Sequence, residues 1–201
     1  MGYKETYNRW LTSDVVDDDT KAELKSIENN EKEIEERFYR ELEFGTAGMR
    51  GIIGAGTNRI NIYNVRRASQ GVAKYVLSNG EDAAKAGVLI GYDTRNFSRT
   101  FAEETAKVLT CAGVKTYLFP IVHSVPEVSF GIRELGCSAG VMITASHNPK
   151  EYNGYKVYDD TGCQLIPEWG DQVVAYVNEV KDELAVEVIS DEEAYPYITW
   201  I

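Results

Sequence analysis

The stretch VMITASHNPKEYNGYK, residues 141–156, places Ser146, His147 and Lys156 around one bend directly after an apolar run. A strand ending in that run leaves Ser146 on an exposed loop, and Pro149 biases Asn148 toward extended backbone, which stiffens the loop. Asn153-Gly154 is the residue pair favoured in a two-residue hairpin turn, because both positions tolerate positive φ. After such a turn, alternation puts Lys156 and Tyr158 on one face of the returning strand. A hydroxyl and an ammonium group then meet across a hairpin.

Two chemistries use such a set. In acyl hydrolysis, His147 would activate Ser146. That geometry is poor, since adjacent side chains on extended backbone project to opposite sides, and no G-x-S-x-G elbow is present. In phosphoryl transfer, a serine carrying a phosphate needs cations, backbone donors and usually a metal around it. Lys156, Arg50 and the amides around Gly48 and Gly51 are suitable groups. Singly, each would be an ordinary surface residue; their joint occurrence on strand-end loops is the signal. The run GIIGAG is a plain glycine turn, because it lacks the GxGxxG spacing and no GK[ST] follows it.

Those loops need a frame. AGVLIGYD, VKTYLF and SAGVMITA read as buried strands. Helices alternate with them. Val65, Ala68, Val72, Tyr75 and Val76 share a face before an Asn79-Gly80 stop. Ser98 is placed to cap a helix whose Phe101, Thr105, Val108, Leu109 and Ala112 share another. VPEVSFGIRELG and PEWGDQVVAYVNEVKDEL make two more, and FGTAGMRGIIGAGTNRIN reads as a strand or hairpin with tight loops. The pattern predicts a layered α/β/α domain with a mainly parallel, mixed sheet and ligands beyond the carboxyl ends of its strands. The first residues read as a solvated helical extension, with Glu33–Arg37 and Glu36–Arg40 spaced as ion pairs.

At 201 residues, 43% hydrophobic and 26% charged, the chain suits a globular domain. A net charge of -11 argues against nucleic acid or an anionic membrane as partner. The charge is uneven: residues 1–44 hold seven Lys and Arg against thirteen Asp and Glu, and residues 45–100 hold eight against three. A basic centre in an acidic protein suits a small anion. Cys111, Cys137 and Cys163 have no disulfide or zinc spacing and read as buried or half-buried thiols. With no signal peptide or membrane span in the sequence, the cytoplasm is the expected location.

TASHNP (144–149) followed by NGYK (153–156) resembles the active-site serine loop of the α-D-phosphohexomutases, the phosphoglucomutase and phosphomannomutase family. FGTAGMRG (44–51) looks like that family's N-terminal FGTxGxRG, and GYDTRNFS (91–98) like its GxDxR strand end. The likeness is greatest to the branch of bacterial phosphoglucomutases and phosphopentomutases. It implies that Ser146 is a phosphoserine that passes a phosphoryl group to a sugar monophosphate and takes one back from a sugar 1,6-bisphosphate. A phosphate oxygen on Ser146 would ligate Mg²⁺. His147, Lys156 and Arg50 would share the acid, base and charge-stabilising roles, and which of them is the base stays open. Lys156 would need burial or a cationic neighbour to accept a proton. Asn148, Thr46, Gly48 and Arg95 would position the phosphate or the loop, with Asp93 and Arg95 as supports.

The same resemblance implies three further domains, an Asp-x-Asp-x-Asp-Arg metal loop among them, and no such run occurs here. The expected layout is therefore a helical extension at 1–43, the serine-bearing first domain at 44–190, and at 191–201 the start of a linker to a second domain. The expected function is that of an intramolecular phosphotransferase acting on glucose or mannose 1- and 6-phosphates, with the isolated chain inactive. The alternatives are a phosphopentomutase and a free-standing, non-catalytic domain.

Overall fold

The computed structural model describes residues 2–46 and 48–201. Its first elements are α1 (Tyr3–Thr12), α2 (Asp18–Ser26), α3 (Glu31–Phe38), β1 (Phe44–Gly45), β2 (Gly48–Ile52), α4 (Ile62–Ser78) and α5 (Glu81–Ala86). Then follow β3 (Val88–Tyr92), α6 (Ser98–Cys111), β4 (Thr116–Leu118), α7 (Val125–Glu134), β5 (Ala139–Ile143), β6 (Tyr152–Asp159), α8 (Pro167–Glu179), α9 (Asp191–Ala194) and β7 (Ile198–Trp200).

The runs without polar alternation, β3 and β5, are buried at every residue and lie side by side in parallel at the centre of the sheet. The sheet order is β1-β2-β6-β5-β3-β4-β7. One half, from β5 to β7, is parallel. In the other half β6 runs antiparallel to both β5 and β2, and β2 antiparallel to β1.

Helices cover both faces, giving the expected α/β/α layers. Val65, Val72, Phe101, Leu109 and Val173, from α4, α6 and α8, pack on Ile90, Val141, Tyr155 and Val157. On the opposite face Val128 and Ile132 of α7 pack on Leu89 and Met142. Ser124 and Glu127 form a capping box at the start of α7, with Pro126 in its first turn.

The structure departs from the sequence reading at five places. Asn153 and Gly154 form no turn. They lie inside β6, opposite Gly51 and Arg50, and the chain turns earlier, at residues 146–151. Gly154 is required there by crowding, because a Cβ would stand 2.6 Å from the Thr144 carbonyl oxygen and 3.0 Å from that of Met49. Ser98 is the first residue of α6 rather than its cap. Phe97 is the cap, at φ 62°, and the Ser98 hydroxyl donates to Asp93 Oδ1 at 2.8 Å.

The third departure is in the helical lead. Glu33 and Arg37 pair as expected at 2.8 Å. Glu36 and Arg40 do not, because α3 ends at Phe38; Glu36 pairs with Arg59, and Arg40 donates to Asn58. The lead also has its own core, in which Trp10 packs edge-on against Phe38 and Tyr63. Fourth, Cys111 and Cys163 are exposed and only Cys137 is buried. Fifth, residues 191–201, expected as linker, are folded into the domain: α9 packs on α6, and β7 extends the sheet beside β4.

The indole N–H of Trp10 donates to Glu183 at 2.7 Å, and Arg9 pairs with Asp182 and Glu183. Replacing Trp10 with Ala removes a fully buried side chain and should lower the free energy of unfolding by about 3–5 kcal/mol, measured by urea titration. Burial pushes the Cys137 thiol up to about 11. At pH 8 dithiobis(nitrobenzoate) should therefore titrate Cys111 and Cys163 promptly, and Cys137 only after denaturant is added.

Candidate active site

The serine loop leaves the carboxyl end of β5. Ser146 is exposed, and its backbone is left-handed, with φ +56°. For an L-residue this conformation costs about 1–2 kcal/mol, and two side chains hold it from either side. The N–H of Ser146 donates to Thr144 Oγ1 at 3.0 Å, and its carbonyl accepts from Arg95 Nη2 at 2.8 Å.

Arg95, on the loop after the neighbouring strand β3, does more than this. Nη2 also donates to the Asn148 carbonyl at 2.7 Å, and Nη1 donates to the carbonyls of Pro149 at 2.9 Å and Tyr152 at 3.0 Å. Its Nε lies 3.5 Å from Asp93 Oδ2. The guanidinium is thus spent on the loop backbone and Asp93. Arg95 was expected both to position the phosphate and to support the loop, and the hydrogen bonds it makes here are those of the support. Asp93 Oδ1 in turn accepts from the Arg95 N–H at 3.0 Å and from Ser98.

The left-handed turn at Ser146 brings its neighbour's ring toward the hydroxyl. On extended backbone the two side chains would diverge, but here Ser146 Oγ and His147 Nδ1 are 3.4 Å apart. That is a long contact between exposed groups, at the weak limit for a hydrogen bond.

The cations come from the antiparallel half of the sheet. Arg50 pairs with Gly154 and Gly48 with Lys156, so Arg50 and Lys156 are diagonal neighbours on one face of β2 and β6. Tyr158 shares that face by alternation, as expected. Arg50 is exposed and donates to Asn148 Oδ1; Lys156 is half-buried. Gly154 lies opposite both Arg50 and Thr144. A residue without a side chain therefore separates the cation from the serine loop, across two strand spacings of about 4.8 Å each. Gly48 has φ +115°, and a Cβ there would fall 1.9 Å from the Tyr155 carbonyl oxygen, so this glycine allows β2 to lie against β6.

Thr46 is engaged elsewhere. Its hydroxyl donates to Asp171 of α8 at 3.3 Å, and it does not line the cavity beside Ser146. That cavity, of about 420 Å³, lies between the 93–96 loop and the serine loop, with Ser146, Asn148 and the exposed Lys150 on its wall. The sequence reading passed over Lys150, and also Thr144 and Asn153 as supports. A threonine two residues before the serine, at the end of a strand, was the available signal for Thr144. Tyr155, between Asn153 and Lys156, is buried on the face covered by α4 and α6 with its hydroxyl 3.2 Å from that of Ser69, and burial pushes its phenol well above the ordinary value.

Among the described residues no group of three or more His, Cys, Asp and Glu side chains could hold a metal ion. Asp93, the carboxylate on the cavity wall, is occupied by Arg95 and Ser98. These residues do not make a Mg²⁺ site on their own.

Glycine adopts positive φ without the side-chain penalty, so Ser146→Gly should be more stable than Ser146→Ala by about 1 kcal/mol in urea titration. Equal stabilities would mean that the left-handed turn is relaxed in solution.

The family profile described as phosphoglucomutase/phosphomannomutase, alpha/beta/alpha domain I, matches residues 41–183. A protein of Schizosaccharomyces pombe named as a probable phosphoribomutase is 45% identical over 82% of this chain and 28% of its own length. A phosphoglucomutase of Staphylococcus saprophyticus is 43% identical over 91% of this chain and 31% of its own. Among solved structures, a Thermus thermophilus protein described as a phosphomannomutase superposes with a TM-score of 0.64 at 32% identity, covering 78% of this chain and 35% of that one. The chain spans about a third of the length of these relatives. With TASHNP on the strand-end loop, FGTAGMRG along the antiparallel edge and GYDTR supplying the arginine that binds the loop, the chain belongs to the phosphoglucomutase/phosphomannomutase family and corresponds to its α/β/α domain I.

Proposed function

We propose that this chain is the phosphoserine domain of a phosphosugar mutase that interconverts the 1- and 6-phosphates of a hexose, glucose or mannose, through a sugar 1,6-bisphosphate. The observation that carries the reading is the exposed Ser146 hydroxyl, held on a left-handed turn beside a cavity, with Arg50 and Lys156 on the adjoining strands.

In the first half-reaction the Oγ–P bond of phosphorylated Ser146 breaks as a P–O bond forms to a sugar hydroxyl. The proton of that hydroxyl passes to a base, Lys156 or His147, while Arg50 keeps its charge, and the departing Ser146 Oγ takes up a proton. In the second, the bisphosphate returns in the opposite orientation: Ser146 Oγ gives up its proton and bonds to the other phosphorus as the P–O bond to the sugar breaks, the sugar oxygen takes up a proton, and the phosphoserine is restored. Charge spreads over the phosphoryl oxygens in each transfer. Arg50 and Lys156 would face that charge, and Asn148, which accepts from Arg50, would hold Arg50 toward the loop. Mg²⁺ would add to the neutralisation, with ligands other than Ser146 drawn from outside the described residues.

A pentose phosphate is the second reading of the substrate. It is favoured by the 45% identity to the fission-yeast protein named as a probable phosphoribomutase. No helix of the described residues is long and apolar enough to cross a membrane, and a cytoplasmic enzyme remains the proposed setting.

The test uses the full polypeptide that contains this chain. Phosphopeptide mass spectrometry should find phosphate on Ser146, and Ser146→Ala should lose that phosphate together with at least about a thousandfold of glucose 1-phosphate turnover, of the size expected when a group that forms the covalent intermediate is removed. Full turnover by Ser146→Ala would end this reading. Ribose 1-phosphate, assayed in parallel, separates the two substrate classes. The isolated 201-residue chain should show negligible turnover of either sugar phosphate.

A further inference from the structure

We infer that Asn153 is a positioning residue for Ser146, acting through a buried relay rather than by touching substrate; this rests on the phosphoserine reading above. Asn153 is fully buried in β6, on the face toward α6. Its side-chain amide makes a hydrogen bond in every direction. Nδ2 donates to the Asn96 carbonyl at 3.0 Å and to Ser98 Oγ at 2.9 Å, and Oδ1 accepts from the Gly154 N–H at 2.8 Å. Ser98, itself buried, donates in turn to Asp93 Oδ1. Asp93 holds the backbone N–H of Arg95, and Arg95 holds the carbonyls of Ser146, Asn148, Pro149 and Tyr152.

The relay is directional. Because Asn153 gives both of its amide protons to the 96–98 segment, Ser98 is left free to donate onward and Asp93 to accept. A carboxylate at 153 would keep the shape and lose both donations. The relay also ties two loops to one strand: β6 carries Asn153 at the rim and Lys156 farther inward, and the serine loop answers to the same strand through Arg95. Asn153 thereby fixes where Ser146 sits relative to Lys156, and a displacement near 1 Å between reacting groups costs about a hundredfold in rate.

The experiment is steady-state kinetics on the full polypeptide with Asn153→Asp, Ser98→Ala and the double variant. Asn153→Asp should lower kcat by about a hundredfold while KM for the sugar phosphate stays within about twofold, since the placement of the serine, and not the affinity for sugar, is lost. Ser98→Ala removes one small hydroxyl and should lower kcat by about tenfold. The double variant should be no worse than Asn153→Asp, because residues of one relay are not additive. A purely structural role would reduce the yield of folded protein and leave kcat per folded molecule, counted by gel filtration and circular dichroism, at the wild-type value. That result, in either variant, overturns the inference. Should Asn153→Asp fail to fold, Ser98→Ala decides alone. Absence of phosphate from Ser146 in the wild-type protein would instead remove the phosphoserine reading, so the two failures are distinct.

Discussion

The left-handed backbone of Ser146 is the conformation on which the site depends. With φ +56° at Ser146 the chain turns away from β5 and the residue is exposed. A serine does not settle in that region unaided. The Thr144 hydroxyl and the Arg95 guanidinium take the N–H and the carbonyl on either side of it, so that the residue is held by its own peptide groups. Among the described residues the hydroxyl makes only the long contact to His147, which leaves it available for chemistry. Support and reactivity are thus assigned to different atoms of one residue.

Sheet topology makes the support possible. β3 and β5 are parallel neighbours, so the loops after them emerge side by side, and Arg95 on one reaches the backbone of the other. An adjacent antiparallel strand would have sent its corresponding loop to the opposite rim. The antiparallel half serves the other need. β6 turns straight back from the serine loop and lies against β2, which brings Lys156 and Arg50 onto a shared face. Parallel strands supply the held loop, and antiparallel strands supply the charge.

The layering, the strand at 139–143 and the exposed serine were legible because buried parallel strands are apolar throughout and helices carry their own period. Asn153-Gly154 was misread because its strongest local meaning, a tight turn, is overruled by contacts from distant residues: Asn96 and Ser98 engage the asparagine, and Thr144 and Met49 crowd the glycine. The same limit hid β7, whose three residues have no period to read and become a strand only by lying beside β4. Thr46 was expected, from the family resemblance, to position the phosphate or the loop, and α8, far along the chain, takes its hydroxyl. Cys111 and Cys163 were read as at least half-buried on residue type alone, and neither is. Asn153-Gly154, β7 and Thr46 each depend on a partner that sequence neighbours do not reveal.

The bond from Trp10 to Glu183 bridges a sequence separation of 173 residues. During synthesis α1 emerges before the other elements of this stretch, yet its polar anchor is among the last residues of the stretch to leave the ribosome, an interval on the order of ten seconds or more. β2 also waits for β6, across about a hundred positions, before it can join the sheet. The nascent chain therefore carries an aromatic helix with its indole N–H uncommitted while this whole stretch is translated. A polypeptide cut short before Glu183 can still pack Trp10 against Phe38 and Tyr63, but it leaves the indole N–H without its carboxylate acceptor.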